Sequence, residues 1–234
     1  MDLRPRLGPP RSQGPRSTCL AFAVSAAHEG ALFASHDMVD LCEEFLYWAA
    51  KEHDTPGPGT TFTAARGGLD TYGQPLEEEW PYDTSRDDQV AGYAPPASAM
   101  TATPRWSLPL SPVSATPDSV RGELDATRAV ALGIPTWPAL DHPVSGRLGV
   151  PRLADLDGAH HAVAVVGYNT VTAELLIRNS WGPTWGDNGS AWLQLRFLEV
   201  HVCEAWVVGS PVLGTAEVPA QQPSARYGDT NEEL

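Results

Sequence analysis

The spacing of apolar residues changes partway along this chain, and this change constrains its fold more than any other feature. Apolar residues recur every three to four positions over residues 20–31, 41–50 and 62–72, which predicts three helices. Later segments are short and rich in apolar and β-branched residues, and they predict five strands: residues 134–140, 161–168, 174–178, 190–195 and 205–208. Helices followed by strands indicate an α+β fold.

The same change divides the chain into two expected subdomains. Within a domain of residues 1–212, a mostly helical half covers about residues 13–110 and a β-rich half covers about residues 111–212. Residues 92–117 are rich in Pro, Ala and Ser without periodicity, so we interpret them as the connection between the halves. Residues 213–234 supply few core-forming side chains and are predicted to be a disordered tail.

A further helix is expected where the connection ends. Thr116 is a suitable N-cap, Pro117 suits the first helical position, and Gly133 would lie just past the end. This pattern predicts a helix that extends almost to Gly133.

Composition and charge exclude several classes of partner. The net charge of −14 argues against nucleic acid or an anionic membrane as the main partner, and no apolar run is long enough to span a membrane. Three cysteines, Cys19, Cys42 and Cys203, cannot build a disulfide framework, which favours a reducing compartment. Residues 1–12 lack the apolar segment of a signal peptide. We therefore expect a cytoplasmic protein.

Four residues form a candidate catalytic set. Cys19 begins an apolar helix, where the N-terminal N–H groups stabilise a thiolate. His161 opens a strand, and Asn179 ends the next one, so an asparagine oxygen can orient the imidazole of a catalytic base. Gln13, six residues before Cys19, can direct its amide at an oxyanion together with the Cys19 N–H. This pattern is typical of thiol nucleophiles.

The chain resembles the papain-like cysteine peptidases over roughly residues 2–208. Matching motifs occur in the family's order: Gln13-Gly14, Cys19 with Ala21-Phe22, Leu41-Cys42-Glu43-Glu44, Trp80-Pro81-Tyr82, His161-Ala162-Val163, Val166-Gly167-Tyr168, Asn179-Ser180-Trp181-Gly182 and Trp185-Gly186-Asp187-Asn188-Gly189. The resemblance implies a papain-like fold of two subdomains with the active site in the cleft between them. It also implies a cysteine endopeptidase that acts through a thioester acyl-enzyme on a peptide or protein substrate, without a metal or organic cofactor.

The resemblance also implies roles for individual residues. Cys19 would be the nucleophile, His161 the base, Asn179 the residue that orients it and Gln13 the oxyanion-hole donor. Trp181 would cover the hydrogen bond between Asn179 and His161.

Substrate-binding residues are implied as well. The family binds the substrate backbone along a glycine pair, for which Gly59-Thr60 fits the expected order better than Gly67-Gly68. Ala162 would line the pocket for the substrate residue two before the scissile bond.

Two departures from the family pattern qualify this interpretation. Arg16 stands where a disulfide cysteine is common, and Leu20 replaces an aromatic residue that usually follows the nucleophile. A short version without this disulfide resembles the bacterial intracellular branch, without a pro-segment. Its activity would then need restraint by narrow specificity, by a regulatory partner protein or by a larger parent chain.

Two alternatives to an endopeptidase stay open at this point. The acyl-enzyme could be captured by an amine, which would make the protein a transpeptidase, a ligase or an isopeptidase. The fold could also serve as a peptide-binding module without catalysis, an interpretation to which Leu20 gives some weight.

Overall fold

The computed structural model describes residues 1–33, 36, 38–201 and 203–209. The helices are Cys19–Leu32 (α1), Glu43–Lys51 (α2), Phe62–Tyr72 (α3), Ala97–Thr101 (α4), Pro117–Asp125 (α5) and Phe197–Val200 (α6). The strands are Leu110–Val113 (β1), Val130–Pro135 (β2), Arg147–Leu148 (β3), His160–Asn169 (β4), Glu174–Arg178 (β5), Ser190–Gln194 (β6) and Glu204–Val208 (β7). The predicted disordered tail over residues 213–234 lies outside the described residues.

One mixed sheet contains all seven strands, in the order β1-β7-β2-β4-β5-β6-β3. Neighbouring strands are antiparallel except β3 and β6, which are parallel. The ten-residue β4 lies at the centre, between β2 and β5. Strand β4 therefore has a partner on both edges, which holds residues at its start in defined positions.

Helix α1 joins the helical part of the molecule to the sheet. Of its fourteen residues, thirteen are buried, as its apolar character on all sides predicts. One face of α1 packs against β4, β2 and β7, and another contacts α2 and α3. The larger of the two hydrophobic clusters among the described residues runs through both regions. The predicted α+β class is therefore confirmed, with α1 at the junction.

The helix predicted between Thr116 and Gly133 is too long. Helix α5 does begin at Pro117, and the Thr116 side chain accepts a hydrogen bond from the Ser119 N–H, but the helix ends at Asp125. Every residue of β2 is buried, because β4 and β7 flank this strand on both sides. A strand buried on both faces lacks the alternation of apolar and polar residues that identifies a strand. The apolar residues of β2 therefore continued the helical spacing of the preceding segment by chance.

Two further predictions, one of a strand and one of an irregular segment, are wrong. The strand expected over residues 134–140 begins earlier, at Val130, and ends at Pro135, while Pro138–Leu140 form a short 3-10 turn. Helix α4 and strand β1 both lie within residues 92–117, which we interpreted as an irregular connection. Pro112 obscures the strand pattern of β1 in the sequence, but a proline is tolerated there because β1 is an edge strand.

Candidate active site

Cys19 is the first residue of α1 and is fully buried. Burial raises the pKa of its thiol to about 12, while backbone hydrogen bonds from Ala162, Leu20 and Cys19 itself act in the opposite direction. Ala162 follows His161 in β4, so the packing of α1 on β4 brings the start of the helix to the start of the strand. The thiol therefore lies beside the segment that carries the predicted base.

His161 and Asn179 meet because β4 and β5 are paired. Asn179 immediately follows β5, and its Oδ1 lies 2.7 Å from Nε2 of His161. The same Oδ1 accepts a hydrogen bond from the Ser180 N–H at 2.8 Å, so it is an acceptor and Nε2 of His161 is the donor. A neutral imidazole with its proton on Nε2 keeps a lone pair on Nδ1. The hydrogen bond thus leaves one nitrogen of His161 able to act as a base.

Trp181 covers this pair. Its ring centroid lies 4.7 Å from that of His161, with 34° between the ring planes. Burial lowers the pKa of His161 to about 4, and the hydrogen bond to Asn179 acts in the opposite direction. The imidazole is therefore held neutral unless a negative charge forms next to it.

Gln13 is tied to the segment that follows Asn179. Its side-chain Oε1 accepts a hydrogen bond from the Ser180 hydroxyl at 2.5 Å, and its backbone N–H donates to the Ser180 carbonyl at 2.7 Å. Its Nε2 donates to the Arg16 carbonyl at 2.6 Å, which leaves the second proton of the amide available. The contact of Ser180 with Gln13 was not predicted from the sequence, because the two residues lie 167 positions apart and no local pattern connects them.

Gly59 and Thr60 are buried in the loop between α2 and α3, and Gly59 has φ +70°. Lys51 fixes this loop: its ammonium donates to the carbonyls of Thr55, Gly57 and Gly59 at 3.1, 2.7 and 3.0 Å. Sequence reasoning missed Lys51, although one signal was present. It is the only lysine in the chain, and it precedes a loop rich in Gly and Pro.

The alternative glycine pair has a different role. Gly67 and Gly68 lie inside α3, where a Cβ at Gly68 would come within 2.8 Å of the backbone carbon of Ala49 in α2. Gly68 therefore serves the close approach of two helices.

The remaining predicted residue, Ala162, is buried in β4. It lines a small pocket between α1 and the sheet, together with Phe22, Ala23 and Asn179. Among the residues that the structure describes, no group of three or more His, Cys, Asp or Glu side chains is arranged to hold a metal ion. In the same part of the chain, no helix is both long and apolar enough to cross a membrane.

Comparison with known proteins identifies the class. The sequence profile described as "Papain family cysteine protease" matches residues 1–204. The chain therefore belongs to the papain family of cysteine proteases, and the predicted family is confirmed.

Individual relatives agree with this assignment. The chain is 30% identical to Cysteine protease 1 of Oryza sativa subsp. japonica, over 78% of this chain and 37% of that relative. It is 32% identical to Peptidase 1 of Euroglyphus maynei, over 81% of this chain and 58% of that relative. The chain thus spans less than two thirds of the length of these curated relatives. Its fold is similar to that of xylellain, a cysteine protease from Xylella fastidiosa, with a TM-score of 0.70 and 22% identity over 89% of this chain and 85% of that one.

Proposed function

We propose that this chain is a cysteine endopeptidase in which Cys19 attacks the carbonyl of a peptide bond. The observation that carries this proposal is the hydrogen bond from His161 to Asn179, because it leaves Nδ1 of the imidazole as a base beside the start of α1. Family membership supports the same reaction class. The substrate is a peptide or a protein.

The charge state of the site follows from burial. A thiolate alone is disfavoured because burial raises the pKa of Cys19, and an imidazolium alone is disfavoured because burial lowers the pKa of His161. Transfer of the thiol proton to Nδ1 creates both charges together, so their attraction in a medium of low dielectric offsets the cost of burying each. The N–H groups at the start of α1 stabilise the thiolate further.

The chemistry then proceeds in two steps. In the first, the Cys19 thiolate bonds to the substrate carbonyl carbon, and the Cys19 N–H and the amide of Gln13 stabilise the oxyanion. The C–N bond breaks as His161 gives its proton to the leaving amine, which leaves a thioester. In the second, His161 takes a proton from water and the hydroxide attacks the thioester carbon. The C–S bond then breaks, which releases a carboxylic acid and regenerates the Cys19 thiolate beside the protonated His161.

Substrate binding would use three parts of the site. The backbone at Gly59 and Thr60 would pair with the substrate chain, and Ala162 would line a side-chain pocket. Trp181 would keep water from the hydrogen bond of His161. The support for the first of these is the Lys51 ammonium, which holds the preceding loop through three carbonyls.

A reducing compartment, the cytoplasm, forms part of the proposal, because Cys19, Cys42 and Cys203 are all free thiols. We also propose that the chain belongs to the bacterial intracellular branch of the family. The support is Arg16, which occupies the position of a common disulfide cysteine and forms an ion pair with Glu44.

The experiment compares wild type with Cys19→Ala on a library of fluorogenic peptides, with Cys203→Ala as the matched control. We expect hydrolysis by wild type and Cys203→Ala, and loss of hydrolysis in Cys19→Ala by at least about 1,000-fold. Peptidase activity in Cys19→Ala would contradict the proposal. Mass analysis of the products with an added amine separates hydrolysis from capture of the acyl-enzyme by that amine.

A further inference from the structure

A buried arginine lies three residues before the proposed nucleophile. The Arg16 side chain is only 6% exposed. Its two terminal nitrogens donate to the two carboxylate oxygens of Glu44 at 2.6 and 2.7 Å, and its Nε donates to Asp88 at 3.1 Å. The Asp83 carbonyl accepts a further hydrogen bond at 3.0 Å. The guanidinium is therefore held in one position by partners from two other segments of the chain.

The backbone of the same residue holds the proposed oxyanion donor. The Arg16 carbonyl accepts the hydrogen bond from Nε2 of Gln13 at 2.6 Å. The buried contacts of the Arg16 guanidinium restrict where the backbone of the same residue can lie, and therefore where this carbonyl can lie. Through the carbonyl, the same contacts hold the amide of Gln13 in position.

A second contact fixes the ends of the loop over residues 13–18, which we name the nucleophile loop. The Tyr82 hydroxyl donates to the Gln13 carbonyl at 2.8 Å and lies 2.7 Å from the Thr18 hydroxyl, which must then be the donor to it. The Arg16 guanidinium lies over the Tyr82 ring, 4.8 Å from its centroid. Tyr82 thus contacts both ends of the nucleophile loop through its hydroxyl and the Arg16 guanidinium through its ring.

The segment after Tyr82 packs closely on the nucleophile loop. Gly14 has φ +62°, and a Cβ at this position would lie 2.7 Å from the Cβ of Thr84. Residues 83–88, which we name the acidic loop, therefore lie in van der Waals contact with the nucleophile loop at Gly14 and in ionic contact at Arg16.

We propose that Arg16 is a positioning residue for the oxyanion hole, which it holds through its ionic contacts with Glu44 and the acidic loop. This proposal rests on the proposed function, since it requires that Gln13 stabilises an oxyanion. A donor acts on a transition state only when it is preorganised, and a loop residue reaches that precision through supporting contacts. Lysine cannot replace Arg16, because its single ammonium cannot reproduce the planar fork that binds both oxygens of Glu44.

The test uses two reactions of Cys19, of which only one needs an oxyanion hole. Peptide hydrolysis passes through an oxyanion, whereas alkylation by iodoacetamide displaces iodide from carbon and forms none. In Arg16→Lys we expect kcat for hydrolysis to fall roughly 10- to 100-fold, while KM and the alkylation rate change by less than about threefold. A merely structural role would lower both reactions together.

A matched control makes the same substitution at an arginine that binds a buried carboxylate away from the nucleophile loop. Arg128 pairs with Glu123 at 2.8 Å, and the Glu123 side chain is fully buried. In Arg128→Lys we expect kcat within about twofold of wild type. Asp88→Ala removes only one ionic partner of Arg16. We expect it to lower kcat for hydrolysis less than Arg16→Lys does, again without a change in the alkylation rate.

The double variant Gln13→Ala/Arg16→Lys completes the test. If Arg16 acts through Gln13, kcat of the double variant stays within about threefold of Gln13→Ala alone, because interacting residues are not additive. Independent multiplication of the two losses, or equal losses in hydrolysis and alkylation, would overturn the proposal. Wild type that is alkylated at Cys19 but hydrolyses no peptide would instead overturn the proposed function.

Discussion

His161 donates a hydrogen bond from Nε2 to Oδ1 of Asn179 over 2.7 Å, and this bond joins two neighbouring strands of the sheet at their ends. The same oxygen is fixed by the Ser180 N–H, so Asn179 cannot turn its amide around without losing both contacts. The orientation of the imidazole is therefore built into the β4–β5 pairing.

Asn179→Ala removes the acceptor that orients the imidazole. We expect kcat/KM for peptide hydrolysis to fall about 10- to 100-fold, because a buried donor that loses its partner costs about 1–3 kcal/mol. Asn169→Ala is the matched control: Asn169 ends β4 and accepts hydrogen bonds from Val171 and Thr172 in an exposed turn. An Asn179→Ala enzyme as active as Asn169→Ala would show that orientation by Asn179 is not needed.

Lys51→Met removes the ammonium that holds three carbonyls before Thr60. If Gly59 and Thr60 bind the substrate backbone, KM should rise about 3- to 10-fold with kcat within about twofold, since the change affects binding and not the reacting atoms. Arg152→Met, at a cation that is 84% exposed, serves as the control. Steady-state kinetics on one peptide separates the two parameters, and an unchanged KM would argue against the assignment of this loop to substrate binding.

Alanine at two neighbouring glycines of α3 should have different effects. At Gly68 the new Cβ would meet the backbone of Ala49, which cannot move aside, so Gly68→Ala should lower the free energy of unfolding by about 1–3 kcal/mol. At Gly67 the Cβ would meet the side chain of His53, which is exposed and can rotate, while the helix gains up to about 1 kcal/mol in propensity. Denaturant unfolding measures both, and equal losses would contradict this view of the α2–α3 contact.

His28 predicts a dependence of stability on pH. Burial lowers its pKa to about 4 in the folded protein, against an ordinary value of 6.5, and its hydrogen bond with Gln74 acts in the opposite direction. Between these values the unfolded chain binds a proton that the folded protein does not, so this contribution to stability is complete above about pH 6.5 and is lost as the pH falls toward 4.

Replacement by a group that does not titrate should remove this dependence. In His28→Gln, the slope of the free energy of unfolding against pH should fall by about 1 kcal/mol per pH unit near pH 5. Urea unfolding at several pH values gives the slope separately from any uniform destabilisation. Parallel curves for wild type and His28→Gln would refute the assigned shift.

Much of the fold was predictable because the relevant signals are local. Helix α3 begins at Phe62 and ends at Tyr72 as predicted, and β5 covers Glu174–Arg178 as predicted, since each is one continuous periodic segment. The predicted helix was extended wrongly into the first residues of strand β2. The burial of β2 depends on β4 and β7, which the sequence near Ala131 does not reveal. Periodicity therefore failed where both faces of an element are covered.

The site shows the same division between local and distant information. Cys19, His161, Asn179 and Gln13 were predicted because each lies in a short motif with its own chemical meaning. Their supports were not predicted, since they connect distant segments. Ser180 meets Gln13 across 167 residues, and Glu44 meets Arg16 across 28. Only the folded chain brings such partners together.

The thiolate–imidazolium pair is tested by the rate at which iodoacetamide alkylates Cys19 as a function of pH, followed by intact mass in wild type and His161→Ala. Cys42 is a buried free thiol and Cys203 a partly buried one, and either could react with iodoacetamide. Peptide mapping therefore identifies which cysteine is modified. We expect rapid modification of Cys19 alone that persists below neutral pH in wild type and is lost in His161→Ala, because burial raises the pKa of a thiol without an imidazolium partner to about 12. Slow modification that rises only at alkaline pH, and to the same extent in both proteins, would contradict a thiolate–imidazolium pair.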